Sequence, residues 1–308
     1  MTTALALWLI FSLAIAAYVG LAGVAIAAGA RAWWFLAAAP VLVAFVPLAV
    51  ASFHCTLAWI FRASRPPGHR IGMAAGVRLL VDEALAILVS WPRMALFRWY
   101  VREPPRTAVG VPVLLLHGVL CNAGVWRGMC AYLAARGIAR VYALTFTPPV
   151  GSIEDFADQL ASRVEAILAE TGAGRLALVG HSMGGLVARA YLRRYGADRI
   201  ALTMTLGTPH HGSVHAWLFA GAALAQMRPG NAWLAELNRT EGESCPARFV
   251  SLWSWHDSMV APQTSSRLAG AVNIELDGIG HNALLGDARV FECVARELAG
   301  LQREMPGS

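Results

Sequence analysis

Residues 176–192, LALVGHSMGGLVARAYL, decide the fold class of this chain. The stretch begins with a short apolar run typical of a buried strand and ends with apolar side chains at helical spacing. Between the two, Gly180, Ser182 and Gly184 fit the pattern G-x-S-x-G, in which glycine lets two backbone segments approach closely. The stretch therefore predicts a strand, a sharp turn and a helix in immediate succession.

The serine in this turn has the surroundings of a nucleophile. The following helix presents its N-terminus to the serine, where negative charge is stabilised. Side chains in place of Gly180 and Gly184 would collide with the neighbouring strand and helix. We therefore predict that Ser182 is a catalytic nucleophile. The alternative, an ordinary turn, is disfavoured by the strand pattern before it and the helix pattern after it.

The surrounding sequence repeats this alternation of strand and helix. Six apolar runs have the length of buried strands: 111–118, 139–146, 175–182, 200–209, 247–255 and 272–278. Segments with helical periodicity separate several of them. Such alternation predicts an α/β fold, a mostly parallel sheet with helices on both faces, in one domain over residues 109–308.

The first sixty residues carry a single charge, Arg31. Residues 4–30 and 32–61 are uncharged, and each run is long enough to cross about 30 Å of hydrocarbon. A cleaved signal peptide is the alternative, but the chain start lacks basic residues and a second apolar run follows directly. We therefore predict a transmembrane hairpin of two helices over residues 1–62.

The arginines set the expected orientation of this hairpin. Arg31 alone lies between the two apolar runs, whereas four arginines follow the second run: Arg62, Arg65, Arg70 and Arg78. The positive-inside rule then places both chain ends in the cytoplasm. The expected localisation is the bacterial inner membrane, with two spans and a cytoplasmic catalytic domain.

Residues 71–100 are apolar enough to suggest a third span, which would move the C-terminal domain across the membrane. Three charged side chains would then lie in hydrocarbon, at a cost of about 2.5–3.5 kcal/mol each. They are Arg78, Asp82 and Glu83. We predict instead that residues 63–108 form a basic amphipathic segment at the membrane interface.

The composition limits the expected partners. The formal net charge is +6, and all 25 basic residues are arginines, which form no long run and do not alternate with aromatic residues. Nucleic acid is therefore not an expected partner, whereas the phosphate headgroups of a lipid bilayer are. The five cysteines have no regular spacing and predict neither a disulfide framework nor a zinc site. Arginine without lysine, with abundant alanine, is consistent with a bacterial source.

Four stretches make the C-terminal domain resemble the α/β-hydrolases, and among them the bacterial lipase-like esterases. They are LLLHGVLCN (114–122), GHSMGG (180–185), LGTPHHGS (206–213) and GIGHNALL (278–285). In that family they correspond to the oxyanion loop, the nucleophile turn, the strand end before a lid and the histidine loop. The resemblance implies the α/β-hydrolase fold with a helical cap at about residues 213–245, preceded here by two transmembrane helices.

The resemblance also implies a catalytic triad in the chain order serine, acid, histidine. His281 lies in the matching loop and is expected to take the proton from Ser182. Asp257 opens the loop after a predicted strand, which favours it as the acid over Asp277, four residues before His281. The other histidines after Ser182 are weaker candidates for this role: His210, His211, His215 and His256. His210 and His211 belong to the TPHHG turn and are expected in hydrogen-bonded packing roles.

Two backbone N–H groups are expected to form the oxyanion hole. One belongs to Met183, directly after the serine, and the other to Val119 in the first matching stretch. Residues that support these two loops are His117, Gly118, Gly180, His181 and Gly184.

These residues predict a membrane-anchored serine hydrolase that cleaves carboxylic esters with an apolar acyl chain through an acyl-enzyme. The apolar side chains of residues 213–245 are expected to line the acyl pocket; the alternative is an ordinary helical segment packed on the core. An acyltransferase or a thioesterase would use the same triad, and a non-catalytic membrane partner is a further alternative. No aspartate follows His281 by two residues and no cysteine pair flanks the lid, so neither calcium nor another cofactor is expected.

Overall fold

The computed structural model describes residues 2–105, 107–241 and 248–304 of the chain. Within these ranges six strands form one sheet in the order β2-β1-β3-β4-β5-β6, and all neighbouring strands are parallel. The strands are β1 Val113–Leu116, β2 Val141–Leu144, β3 Leu176–His181, β4 Ile200–Leu206, β5 Phe249–Ser254 and β6 Val272–Leu276. The parallel sheet that the alternating pattern predicts is confirmed.

Helices cover both faces of this sheet. The helices are α1 Thr3–Ala27, α2 Trp33–Ile60, α3 Met73–Ala95, α4 Phe97–Tyr100, α5 Arg127–Ala134, α6 Ile153–Thr171, α7 Met183–Tyr195, α8 Ala222–Gln226, α9 Ala232–Glu241 and α10 Ala288–Glu304. On one face, α6 and α7 share a core with Leu114 and Leu178; on the other, α5 and α10 share one with Val113 and Val179. Because alternate residues of β1 and β3 are buried in different cores, these two central strands read as apolar runs in the sequence.

Helices α1 and α2 precede this domain and are joined by a turn at residues 28–32. Near the turn, the hydroxyl of Tyr18 donates a hydrogen bond to the carbonyl of Phe35. In the most apolar window of each helix, 6% of the α1 residues and 11% of the α2 residues are buried, whereas the core helix of a soluble protein would be mostly buried. Both helices are long and apolar enough to cross a membrane, and α1 also fits a signal sequence.

Both ends of the hairpin contact the sheet domain. At the start of α1, the Thr3 hydroxyl donates to the carbonyl of Cys121 at 3.1 Å. Beyond the end of α2, the Ala63 N–H donates to the Gln263 side chain at 3.2 Å, and Gln263 donates to the carbonyl of Ala58 at 3.4 Å. Cys121 follows β1 and Gln263 follows β5, so the hairpin rests on the carboxyl edge of the sheet. Ligand sites of parallel sheets lie at this edge.

Helix α3 packs against the hairpin with one face and leaves another face exposed. Ala84 and Ile87 form a small buried cluster with Ala51 of α2. The exposed side carries a stripe of apolar side chains at a spacing of four residues: Val77, Val81, Leu85 and Val89. An amphipathic segment at a membrane interface would need such a stripe, and its location at the interface stays a prediction.

Candidate active site

Ser182 lies in a strained turn between β3 and α7. Its backbone has φ 55° and ψ −122°, a positive-φ conformation that residues other than glycine rarely adopt. The end of β4 and the loop after it hold this conformation, because the Ser182 N–H donates to the carbonyl of Leu206 and the Thr208 hydroxyl donates to the carbonyl of Ser182, each at 2.9 Å. The turn therefore fixes the position and direction of the Cα–Cβ bond of Ser182.

The glycines of the turn are required by space. A Cβ atom at Gly180 would lie 2.6 Å from the backbone nitrogen of Gly185, and one at Gly184 would lie 2.3 Å from the carbonyl oxygen of Leu116. Both separations are well below any contact that real Cβ atoms make. The turn thus packs the start of α7 directly against the end of β1.

The structure brings His281 and Asp257 together. The Nδ1–H of His281 donates to Oδ2 of Asp257 at 2.8 Å, and both side chains are buried. The other carboxylate oxygen, Oδ1, accepts hydrogen bonds from the N–H groups of Met259 at 2.8 Å and Val260 at 2.7 Å. Both oxygens of Asp257 are therefore engaged, which fixes the carboxylate towards the imidazole.

Asp277, the other candidate acid, lies elsewhere. Its carboxylate accepts a hydrogen bond from Nδ1 of His69 at 3.0 Å and is 37% exposed. His69 belongs to the segment between α2 and α3. Asp277 thus ties that segment to the end of β6, and the hydrogen-bonded partner of His281 is Asp257.

The surroundings of His281 favour its protonated form. Burial lowers the pKa of His281, but the charge and hydrogen bond of Asp257, together with the charge of Glu83, outweigh burial and raise this pKa above its usual value. His181 packs beside it, with ring centroids 4.6 Å apart, and its Nε2 lies 3.1 Å from the carbonyl oxygen of His281. Burial holds the pKa of His181 well below its usual value, so His181 is neutral.

The loop after β1 lies directly against the serine. A Cβ atom at Gly118 would lie 3.1 Å from the Cβ of Ser182. His117 holds this loop, because its Nδ1–H donates to the carbonyl of Gly118 at 2.7 Å and its Nε2 accepts the N–H of Phe146 at 3.0 Å. Burial lowers the pKa of His117 to about 4, so the ring stays neutral and keeps this tautomer.

Val119 follows this close approach, and Met183 occupies the first position of α7. A helix has no preceding carbonyl to accept the N–H of its first residue, so the Met183 amide is available to a ligand. Leu120, directly after Val119, has a positive φ of 57°, which turns the loop sharply. Of the two predicted oxyanion donors, Val119 therefore lies in the loop after β1, and Met183 begins the helix that follows Ser182.

Two of the other histidines, His210 and His256, make hydrogen bonds near the ends of strands. His210 is buried, with Nε2 at 3.2 Å from the Thr205 hydroxyl and Nδ1 at 3.4 Å from the Arg189 guanidinium. His256 accepts the N–H of Gly278 at 3.1 Å. These two side chains hold strand ends together.

Residues 213–241 form a short turn at Val214–Trp217 followed by α8 and α9. The apolar side chains of this segment divide into two groups. Leu224, Met227 and Leu234 are buried in the core with α6 and α7, whereas Trp217, Leu218 and Phe219 are exposed. The predicted cap continues to residue 245, and its last four residues, including Cys245, lie outside the described ranges.

Two residues of the site were not anticipated from the sequence. Thr208, in the TPHHG stretch, holds the carbonyl of Ser182. Glu83 was expected to lie among the charges of an interfacial helix, but it is fully buried against the loop of His281. Its position four residues from both Leu79 and Ile87, on the buried face of α3, is the signal that could have shown this.

A family model for the alpha/beta hydrolase fold matches residues 111–268. Triacylglycerol lipases of Pseudarthrobacter phenanthrenivorans and Burkholderia plantarii are each 35% identical to the chain over 118 residues. These matches cover 34% of this chain, and 35% and 31% of the respective relatives. The chain therefore matches about a third of the length of these curated relatives.

Solved structures show the same architecture. The mature form of a Bacillus licheniformis lipase superimposes with a TM-score of 0.55 at 20% identity, over 64% of this chain and 95% of the lipase. Lipase B of Aspergillus fumigatus gives a TM-score of 0.58 at 19% identity, over 67% of this chain and 57% of that protein. At these identities the likeness shows the fold alone. Because the family model covers just over half of the 308 residues, the chain belongs to the alpha/beta hydrolase fold family.

Proposed function

We propose that the protein is a membrane-anchored serine hydrolase that cleaves carboxylic esters with an apolar acyl chain. In this proposal Ser182 is the nucleophile, His281 the general base and Asp257 the acid. The observation that carries it is the 2.8 Å hydrogen bond from His281 to Asp257, with His281 packed against His181, the residue next to the serine in the strained turn. The similarity to triacylglycerol lipases supports ester chemistry.

The reaction would proceed through an acyl-enzyme. The Ser182 hydroxyl oxygen attacks the ester carbonyl carbon while Nε2 of His281 takes the hydroxyl proton. The oxyanion of the tetrahedral intermediate accepts hydrogen bonds from the N–H groups of Val119 and Met183, each typically worth about 3 kcal/mol in the transition state. The carbon–oxygen bond to the alcohol then breaks, and His281 gives its proton to the departing alkoxide.

Water completes the cycle by attacking the acyl-enzyme. His281 takes a proton from the water, the bond to the Ser182 oxygen breaks, and that oxygen regains the proton as the carboxylic acid leaves. Asp257 keeps the proton of the neutral imidazole on Nδ1 and stabilises the imidazolium formed in each step. The raised pKa of His281 agrees with this role.

The contacts of the hairpin support a site that faces the bilayer. Thr3 contacts the loop after β1, and Ala58 contacts the loop after Asp257, so both ends of the hairpin lie on the active-site edge. Exposed apolar side chains near the same edge include Trp217 and Phe219. We propose that α1 and α2 cross the membrane and that acyl substrates reach the site by lateral diffusion in the lipid.

For orientation we propose a cytoplasmic catalytic domain at a bacterial inner membrane. Four arginines follow α2, against Arg31 alone in the turn. Burial of Glu83 against the histidine loop argues against a third span, because the middle of α3 then lies with the catalytic domain. A C-terminal fusion to green fluorescent protein is expected to fluoresce, and one to alkaline phosphatase to be inactive. An active phosphatase at that position would contradict this orientation.

The substrate class is tested by hydrolysis of p-nitrophenyl esters across acyl lengths, with detergent-solubilised protein. We expect kcat/KM to peak at medium or long chains, because longer chains bury more apolar surface, at about 0.8 kcal/mol per buried methylene. Including a competing alcohol separates hydrolase from acyltransferase, since a transferase would form the new ester in place of the free acid. A maximum at acetate would contradict the apolar acyl pocket.

A further inference from the structure

Glu83 is a fully buried carboxylate that lies outside the matched family domain, in the middle of α3. Four hydrogen bonds converge on it. Its Oε1 accepts from the Ser258 hydroxyl at 2.6 Å, from the Asn282 side chain at 2.8 Å and from the Asn282 N–H at 3.1 Å; its Oε2 accepts the Ala283 N–H at 3.0 Å. A buried charge is tolerated only when donors satisfy it in this way.

The donors belong to the two loops that carry the proposed base and acid. Ser258 follows Asp257 directly, and Asn282 follows His281 directly. The same Ser258 oxygen accepts the N–H of His281 at 3.1 Å. A chain of hydrogen bonds therefore runs from the His281 backbone through Ser258 to Glu83, and it joins the histidine loop to the acid loop.

The carboxylate of Glu83 lies directly against the backbone of Gly280. A Cβ atom at Gly280 would lie 2.4 Å from Oε2 of Glu83, so the carboxylate occupies space that only glycine leaves open. On the same face of α3, Leu79 and Ile87 are apolar and buried. An apolar side chain between them would supply packing at no cost of charge burial, so packing alone does not account for a carboxylate here.

We propose that Glu83 is a positioning residue of the active site: from α3 it fixes the loop of His281 against the loop of Asp257. The inference rests on the proposed function for its catalytic consequence. It makes the segment before the hydrolase domain part of the active-site machinery as well as an anchor. Distances between a base and a nucleophile matter because a displacement of about 1 Å can lower the rate by about 100-fold.

Glu83 also acts on His281 through its charge. The groups that face His281 are Asp257 and His181 from the sheet domain, Glu83 from α3, and the histidines of α2 and the cap, His54 and His215. Burial holds His181 neutral and lowers the pKa of His215 to about 4, so the two carboxylates are the charges that raise the pKa of His281. Removing the charge of Glu83 should lower this pKa.

The test compares Glu83→Gln and Glu83→Ala with Asp82→Asn in the full chain. Asp82 is a matched control, because it is the adjacent acid on α3 and is exposed beside Arg78. The amide introduced by Glu83→Gln would keep the shape of the side chain, but its NH₂ group would face a backbone N–H that also donates. We expect Glu83→Gln to lower kcat by about 100-fold with KM within about twofold, and Asp82→Asn to leave both unchanged.

The pH profile separates positioning from loss of folded protein. In Glu83→Gln the acid limb of kcat/KM should move to lower pH, because His281 then stays unprotonated, and able to act as a base, to lower pH. Partial unfolding would lower the active fraction without moving the limb. An unchanged kcat, or a loss of kcat with an unmoved limb, would overturn the proposal.

Hydrogen exchange of residues 278–285 tests the same contact without substrate. Their amides should exchange faster in both Glu83 variants than in wild type, and at the wild-type rate in Asp82→Asn. Unchanged exchange in Glu83→Ala would overturn the proposal even if activity falls. Wild type without turnover that depends on Ser182 would contradict the proposed function instead, and the exchange rates would still decide whether Glu83 holds the loop.

Discussion

Replacing Ser182 by alanine is expected to lower kcat/KM for a medium-chain p-nitrophenyl ester by at least about 10³-fold. The variant keeps the strained turn, the glycines and the proposed oxyanion donors but lacks the oxygen that is proposed to form the acyl-enzyme. Residual turnover would then come from water bound in the site, with stabilisation of the oxyanion alone. The measurement is steady-state hydrolysis by detergent-solubilised wild type and variant, with folding checked by circular dichroism.

Ser162→Ala is the matched control for this prediction. Ser162 is exposed on α6, and among the described residues its hydroxyl bonds only within its own helix, to the carbonyl of Asp158 at 3.1 Å. We expect this variant to match wild type. Equal turnover in wild type and Ser182→Ala would show that another group performs the reaction, or that the observed hydrolysis comes from a contaminant.

Asp257→Asn should also cause a large loss, on the order of 10⁴-fold in kcat. Asparagine fits the same space, but its amide cannot stabilise the imidazolium of His281. Its NH₂ group can also turn towards Nδ1 and favour the wrong tautomer of the ring. The acceptors for Met259 and Val260 would be partly retained, so the loop should keep its shape. KM should change much less than kcat, because Asp257 acts on the proton and not on the acyl chain.

Asp277→Asn tests the assignment of Asp257 as the acid by changing the other candidate. Asp277 pairs with His69 and is partly exposed, so we expect activity within about threefold of wild type. Similar large losses in both variants would contradict the assignment of a single acid. A larger loss for Asp277→Asn would exchange the two roles.

The sheet and the serine turn were predictable because their signals are local. A buried parallel strand is a short apolar run, and the tight turn after β3 needs glycine at fixed spacing around Ser182. The choice of Asp257 over Asp277 used one further piece of information, the strand that each acid follows. In the structure the carboxylate of Asp257 is the one hydrogen-bonded to His281.

The role of Glu83 was not predictable from local pattern. Helical periodicity shows that Glu83 shares a face with Leu79 and Ile87, but not which surface that face meets. Its partners lie far along the chain: Ser258 is 175 residues away and Ala283 is 200 residues away. The prediction for Glu83 considered only a position in or beside the membrane. It did not consider burial in the protein against hydrogen-bond donors that satisfy the carboxylate.

The contact between the hairpin and the carboxyl edge of the sheet was also not predictable from local sequence, because its partners lie far apart in the chain. Length and lack of charge identify α1 and α2 as apolar, and no local feature indicates that Thr3 meets the loop after β1 or that Ala58 meets the loop after β5. In the predicted cap, the sequence also does not show which apolar side chains are buried. Its apolar residues look alike in sequence, yet Leu224 is buried in the core while Trp217 is exposed.

The most direct test of the central claim is covalent labelling of the full chain with a fluorophosphonate, followed by peptide mass spectrometry. A nucleophilic serine activated by a histidine should form one adduct per chain, on the peptide that contains Ser182. Labelling should be absent in Ser182→Ala and much slower in Asp257→Asn. A folded wild type without an adduct on Ser182, or a Ser182→Ala variant that labels equally well, would contradict the account.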